Sequence, residues 1–261
     1  MLTKIISAIQ FLTIIPLPVK AIHAAEDDLG RCSAYFPLAG LLQGVLLALV
    51  SAIFSPLFSG DIVAALQVAT LALSNGGFHL DGLSDTVDAL ASRKSKEKMI
   101  AIMKDGAAGP IGVVSIVVII LFKYLLLKHA MSPPDLKAYV ALILFPTVAR
   151  WSMVPALFCA KSTRSDGLGK IFIERTGARE LLIATGLVWS IIAAIFLTAP
   201  QLIVLPKIIV IFISMYIFSF WAARFFEKKF GGLTGDNLGA ITEMSEVLFL
   251  FMMIGPYPTN I

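Results

Sequence analysis

Seven stretches of roughly 20 mostly apolar residues leave this chain little choice of solvent. They run from Ala34 to Leu57, Asp61 to Leu80, Gly109 to Leu127, Ala138 to Cys159, Leu181 to Ala199, Leu202 to Ala223, and Leu238 to Ile254. In hydrocarbon every backbone N–H and C=O must be paired within the protein, which for separate apolar stretches means helices. The chain is 58% apolar and only 15% charged, whereas a soluble domain carries about a quarter charged residues. The expected fold is therefore all-α, a polytopic transmembrane helical bundle of about seven spans. Leu2 to Leu17 is apolar but short, and Pro16 and Pro18 end it, so an N-terminal interfacial or re-entrant helix is expected there. No small-residue cleavage site follows it, so insertion by the chain's own spans is expected. There is no internal repeat or low-complexity segment, and residues 1–261 read as a single integral-membrane domain.

Lysine and arginine orient the spans. Counted alternately, sixteen lie on the side of the N-terminus and three (Lys123, Lys128 and Lys137) on the other, with Arg150 and Lys207 inside spans. This predicts a multi-pass protein with a cytoplasmic N-terminus, seven spans and an outward C-terminus, six or eight spans being the alternatives. The net charge of +4 is accounted for by those loops and predicts no nucleic-acid partner. Cys32 and Cys159 form no metal or disulfide pattern and read as small apolar residues.

Against this background the acids stand out. Asp81, Asp85 and Asp88, within His79–Leu90, are spaced i, i+4, i+7 and share one helical face at the end of a span. Like charges so placed repel, and carboxylates at membrane depth are usually functional. An all-oxygen set suits magnesium or manganese, which bridge carboxylates to phosphates. Asn75, Gly76 and Gly77 precede the acids, and the glycines, with Gly82, allow either a phosphate or another helix to come close. His79 reads equally as a phosphate contact or as a structural residue.

Two further clusters fall on the same predicted side. MKDGAAGPIG, Met103 to Gly112, carries Lys104 and Asp105, and its glycines recur before a helix start where an anion-binding loop can form. GGLTGDNLGAITEMSE, Gly231 to Glu246, carries Thr234, Asp236 and Asn237, followed by Glu243 and Glu246 on one face. That face needs a cation or a polar partner, and pairing with the intramembrane Arg150 is the rival to metal binding. The basic segment Lys161 to Arg179 is either a solvated loop or a phosphate clamp built from Arg164, Lys170 or Arg175. Together the carboxylates suit metal-assisted phosphoryl-group transfer, with one of them taking a proton from an attacking hydroxyl.

The pieces FLTIIPLP, YFPLAGLLQG, GGFHLDGLSDTVDAL, MKDGAAGPIG, ARW (Ala149 to Trp151), GLG (Gly167 to Gly169) and GGLTGDNLGAITEMSE resemble, in that order, the cobalamin synthase family, adenosylcobinamide-GDP ribazoletransferase. The resemblance implies that α-ribazole, or its 5′-phosphate, attacks the phosphate attached to cobinamide and that GMP leaves. It implies Mg2+ as cofactor and an active site facing the cytoplasm of a bacterium. Asp81, Asp85, Asp88 and His79 become the expected catalytic residues. Asp81, Asp85, Asp88, Asp105, Asp236, Glu243 and Glu246 become the metal ligands. Asn75, Gly76, Gly77, Lys104, Thr234, Asn237 and Arg150 become the substrate contacts. A homo-oligomer, or association with other corrinoid-assembly enzymes, is compatible with it. The chain departs from the family motif at Gly106–Ala108, where an arginine is expected. A CDP-alcohol phosphotransferase would need DGxxAR, which fails at Leu83 to Thr86, and a cation-coupled transporter would spread its acids through the membrane depth.

Overall fold

The computed structural model describes residues 1–16, 29–131, 134–160 and 168–254. Eleven α-helices make up almost all of them: α1 (Leu2–Leu12), α2 (Phe36–Phe54), α3 (Gly60–Ser74), α4 (Phe78–Ala91), α5 (Lys96–Asp105), α6 (Pro110–Ala130), α7 (Leu136–Cys159), α8 (Leu168–Arg175), α9 (Ala178–Thr198), α10 (Leu205–Phe230) and α11 (Gly235–Ile254). Six helices are long and apolar enough to cross a membrane: α2 with the short 3-10 turn before it, α6, α7, α9, α10 and α11.

The remaining predicted span, Asp61 to Leu80, is not continuous. Helix α3 stops at Ser74, and α4 starts at Phe78 after a bend of 85°. The cause is local. Gly76 and Gly77 have φ of 64° and 75°, left-handed values that only glycine adopts without strain. The Gly77 N–H donates to Ala72 O and to Asn75 Oδ1, both at 2.9 Å, closing the last turn of α3. The bent pair nevertheless runs antiparallel to the whole of α6. At one end Asp61 accepts from Tyr124 Oη at 2.8 Å and pairs with Lys128 at 2.5 Å. At the other, Asp88 meets the backbone at the start of α6. Counting the bent pair as one broken span gives seven spans among the described residues, and counting it as a re-entrant hairpin gives six.

Helix α7 is the axis of the bundle, buried over 94% of its most apolar window. Gly40 and Gly44 bring α2 against it: a Cβ on Gly40 would collide with the Pro146 carbonyl, and one on Gly44 would sit 2.6 Å from Ile143 O. These two glycines within a span are thus packing features. The N-terminal apolar piece forms α1, which ends at Leu12. The chain then returns to the break, where the Ile14 N–H donates to Ser74 O at 2.8 Å. Lys123, expected near a loop, is instead a buried residue of α6 at 4% exposure. Both cysteines are free, and Cys32 is buried.

Candidate active site

Two glycines set the site's frame. Helices α4 and α11 cross almost backbone to backbone. A Cβ on Gly82 would lie 2.7 Å from Asp236 O and 2.9 Å from Asp236 Cα, and one on Gly239 would lie 3.0 Å from His79 O. The start of α11 is fixed by a reciprocal cap. The Asn237 N–H donates to Thr234 Oγ1 at 3.2 Å, and the Thr234 N–H donates to Asn237 Oδ1 at 3.1 Å. Asn237 then donates through Nδ2 to Thr86 Oγ1 on α4 at 3.1 Å. Thr234, Asn237 and Thr86 are all buried. Thr234 and Asn237, expected as substrate contacts, build the crossing of α4 and α11.

That crossing gathers the aspartates. The acidic charges acting on Asp85 are those of Asp81, Asp236 and Asp88. Asp81 is exposed, Asp236 is half-buried, and Asp85 lies beneath them at 7% exposure. Asp88 has a different task. Its Oδ2 accepts from the Gly109 N–H at 2.7 Å and its Oδ1 from the Gly112 N–H at 2.8 Å. The glycine-rich loop before α6 does bind an anion, and the anion is the protein's own Asp88. A Cβ on Gly112 would collide with that carboxylate and with Ser84 Oγ. Capping the positive end of α6 is a favourable use for a carboxylate, and it leaves neither oxygen of Asp88 uncommitted.

Deeper in the bundle, Glu243 and Glu246 turn away from the aspartates and meet cations. Lys123 Nζ donates to Glu243 Oε2 at 2.5 Å and also pairs with Glu246, which in turn pairs with Arg150. The pairing with Arg150 weighed from the sequence is the arrangement present, and Lys123 is its unforeseen second member. Arg150 Nη2 also lies 3.4 Å from His79 Nδ1, and Asn75 Nδ2 lies 3.5 Å from the same atom. His79 is fully buried.

The family described as cobalamin-5-phosphate synthase matches residues 4–254, a range that holds every residue of the candidate site. The chain belongs to the cobalamin-5-phosphate synthase family. Curated relatives named adenosylcobinamide-GDP ribazoletransferase are similar to it over nearly their full lengths. The protein of Geotalea daltonii is 37% identical over 95% of this chain and 95% of its own. That of Caldanaerobacter subterraneus is 36% identical over 97% and 98%, and that of Thermodesulfovibrio yellowstonii 31% over 97% and 96%. No solved structure matches the chain.

Set within a cobalamin-5-phosphate synthase, the residues expected from the sequence fall into groups. Asp81, Asp85 and Asp236 come together. Asn75, Gly76 and Gly77 build the helix break, while Asp88, Thr234 and Asn237 cap helices. Arg150, Glu243, Glu246 and His79 form the interior cluster. Lys104 and Asp105 lie exposed at the end of α5, where with Lys94 and Lys98 they line an open cleft of about 560 Å³. Lys170 is paired with Glu174 at 3.7 Å on α8, and Arg164 lies outside the described residues. Among the described residues no three carboxylate, imidazole or thiol groups converge closely enough to chelate one ion. The three gathered aspartates instead fit the way magnesium is commonly held, by one or two carboxylates with water and substrate phosphate. Sequence reasoning missed Lys123 and Thr86 as site residues. For Lys123 the signal was present, as a lone cation inside IVVIILFKYLLL.

Proposed function

We propose that this protein joins adenosylcobinamide-GDP to α-ribazole, or to α-ribazole 5′-phosphate, and releases GMP at the cytoplasmic face of a bacterial inner membrane. The observation that carries this reading is the gathering of Asp81, Asp85 and Asp236 where α4 crosses α11, in a chain whose relatives bear the name of that transferase. The ribazole hydroxyl oxygen forms a bond to the phosphorus attached to cobinamide. The bond from that phosphorus to the GMP oxygen breaks, and GMP leaves with the electron pair.

Each aspartate has a part that follows from its exposure. Asp81, exposed, and Asp236, half-buried, face the incoming phosphates and would hold Mg2+. The ion, when bound, neutralises phosphate charge and eases departure of GMP. Asp85, mostly withdrawn from water, takes the hydroxyl proton. Asp88, His79 and Arg150 hold the frame and touch no reacting atom. The excess of lysine and arginine in alternate loops supports a cytoplasmic position for this end of the bundle.

The test uses purified full-length protein in detergent or liposomes with magnesium, adenosylcobinamide-GDP and α-ribazole. The expected result is a cobamide and one GMP for each turnover. No product under conditions in which the Geotalea daltonii relative turns over would overturn the reading.

A further inference from the structure

Lys123, Arg150, Glu243 and Glu246 come from three helices, α6, α7 and α11, and none exceeds 4% exposure. They stand at one depth. At 1.5 Å per residue, Glu246 lies about 17 Å along α11 from Gly235, and Arg150 about 14 Å from Cys159. Lys123 lies about 20 Å along α6 from Pro110 at the same rise, and a helical side chain leans back toward its N-terminus, which brings the ammonium to the glutamates. Two cations face two anions, so the group is neutral as a whole, although every single member is a charge that hydrocarbon would exclude.

The group reaches the fourth helix, α4, by one route. The Arg150 guanidinium has one arm on Glu246 and another, Nη2, 3.4 Å from His79 Nδ1. His79 sits two residues before Asp81, and its backbone carbonyl is the atom against which Gly239 of α11 packs. A planar fork can serve two partners in fixed directions, which a lysine ammonium cannot do as well.

We propose that Lys123, Arg150, Glu243 and Glu246 form a charge-balanced lock that fixes α4 against α11 through His79, making Lys123 and Arg150 positioning residues for the aspartate site. The lock itself is independent of the reaction; its effect on turnover rests on the function proposed above. Two properties follow. Removing one charge unbalances the group, and removing an opposite pair restores it. Keeping the charge while losing the fork leaves the bundle intact and lets α4 shift.

The experiment compares Lys123→Met, Lys123→Met/Glu243→Gln and Arg150→Lys in the full-length protein in detergent, by thermal unfolding and by steady-state kinetics. Lys123→Met is expected to lower Tm by about 5 °C or more, a shift of the size that loss of a large interaction gives. The double variant should recover most of that shift. Arg150→Lys should melt near the wild type with KM unchanged and kcat reduced about 10-fold, as for a lost alignment and not a lost contact. A double variant no more stable than Lys123→Met overturns the charge balance, and full kcat in Arg150→Lys overturns the positioning role. Should Arg150→Lys fail to fold, His79→Leu reads the same link from α4, and full kcat there has the same force. If the wild type forms no cobamide, the function reading fails, while the unfolding measurements still decide the lock.

Discussion

Gly82→Ala gives the sharpest test of how the fold makes the site. The added methyl would sit 2.7 Å from Asp236 O and 2.9 Å from Asp236 Cα, where ordinary contact begins at 3.4 Å. Both obstacles are backbone at the first turn of α11, so no side-chain rotation relieves them. The helices must separate by about 0.7 Å locally, and overpacking of this kind costs roughly 1–3 kcal/mol. The displacement falls on the helix pair that carries Asp81 and Asp85 on one side and Asp236 on the other. Since a misplacement of about 1 Å can cost 100-fold in rate, a loss of about 10- to 100-fold in kcat is expected in a protein that still folds. The measurement is chromatographic detection of cobamide formed from adenosylcobinamide-GDP and α-ribazole, alongside a melting curve. Gly186→Ala on α9 is the control, because its Cβ meets nothing within 4 Å. There alanine should raise helix stability by about 1 kcal/mol and leave kcat alone. Wild-type kcat and Tm in Gly82→Ala would refute the claim that this crossing sets the spacing of the acids.

Three other outcomes are expected. Asp81→Asn and Asp85→Asn should each nearly abolish turnover with melting unchanged, and full activity in both would remove the aspartates from the chemistry. Asp88→Ala strips two backbone N–H groups of their acceptor and should cost about 1–2 kcal/mol, the scale of a lost helix cap. Asp81→Ala at its exposed position should cost no measurable stability, so equal melting points for the two variants would contradict the division of roles. Chelation with EDTA should stop turnover and added magnesium restore it; turnover indifferent to EDTA would exclude the ion from the reaction.

The helical bundle could be read from hydropathy because lipid demands long apolar helices whatever their packing. The break at Asn75–Gly77 has a local trace in its Asn-Gly and Gly-Gly pairs, which mark turns, but its angle and direction have none. Only the left-handed conformations of Gly76 and Gly77 turn the chain, and a paired glycine in a span reads equally as a packing notch. The acids were found by their spacing, but spacing could not sort them. Asp88 looks like Asp81 and Asp85 in the sequence. It differs because α6 happens to start beside it with two N–H groups free to donate. Glu243 and Glu246 lie on the face that periodicity gave them, yet their partners come from α6 and α7, 120 and 96 residues away in the chain. Pairing at such separations is a property of tertiary structure, and the intramembrane cations Lys123 and Arg150 were its local traces.

The sorting itself explains where a cation is needed. Glu243 and Glu246 are matched in number by Lys123, which pairs with both, and Arg150, which pairs with Glu246. Asp88 is matched by a helix N-terminus, and Asp105 is exposed to solvent. Among the described residues no lysine or arginine forms an ion pair with Asp81 or Asp85, and the charge of Asp236 acts on Asp85 as well. Two unit charges about 4 Å apart near a protein surface interact by roughly 4 kcal/mol, so adding a diphosphate to these aspartates without a counter-charge would oppose binding. Under the proposed reaction the missing positive charge arrives with the substrate, as magnesium on its phosphates. The empty balance at Asp81 and Asp85 then favours the metal-bound nucleotide over the free one, whereas Glu243 and Glu246 already have their counter-charge in Lys123 and Arg150.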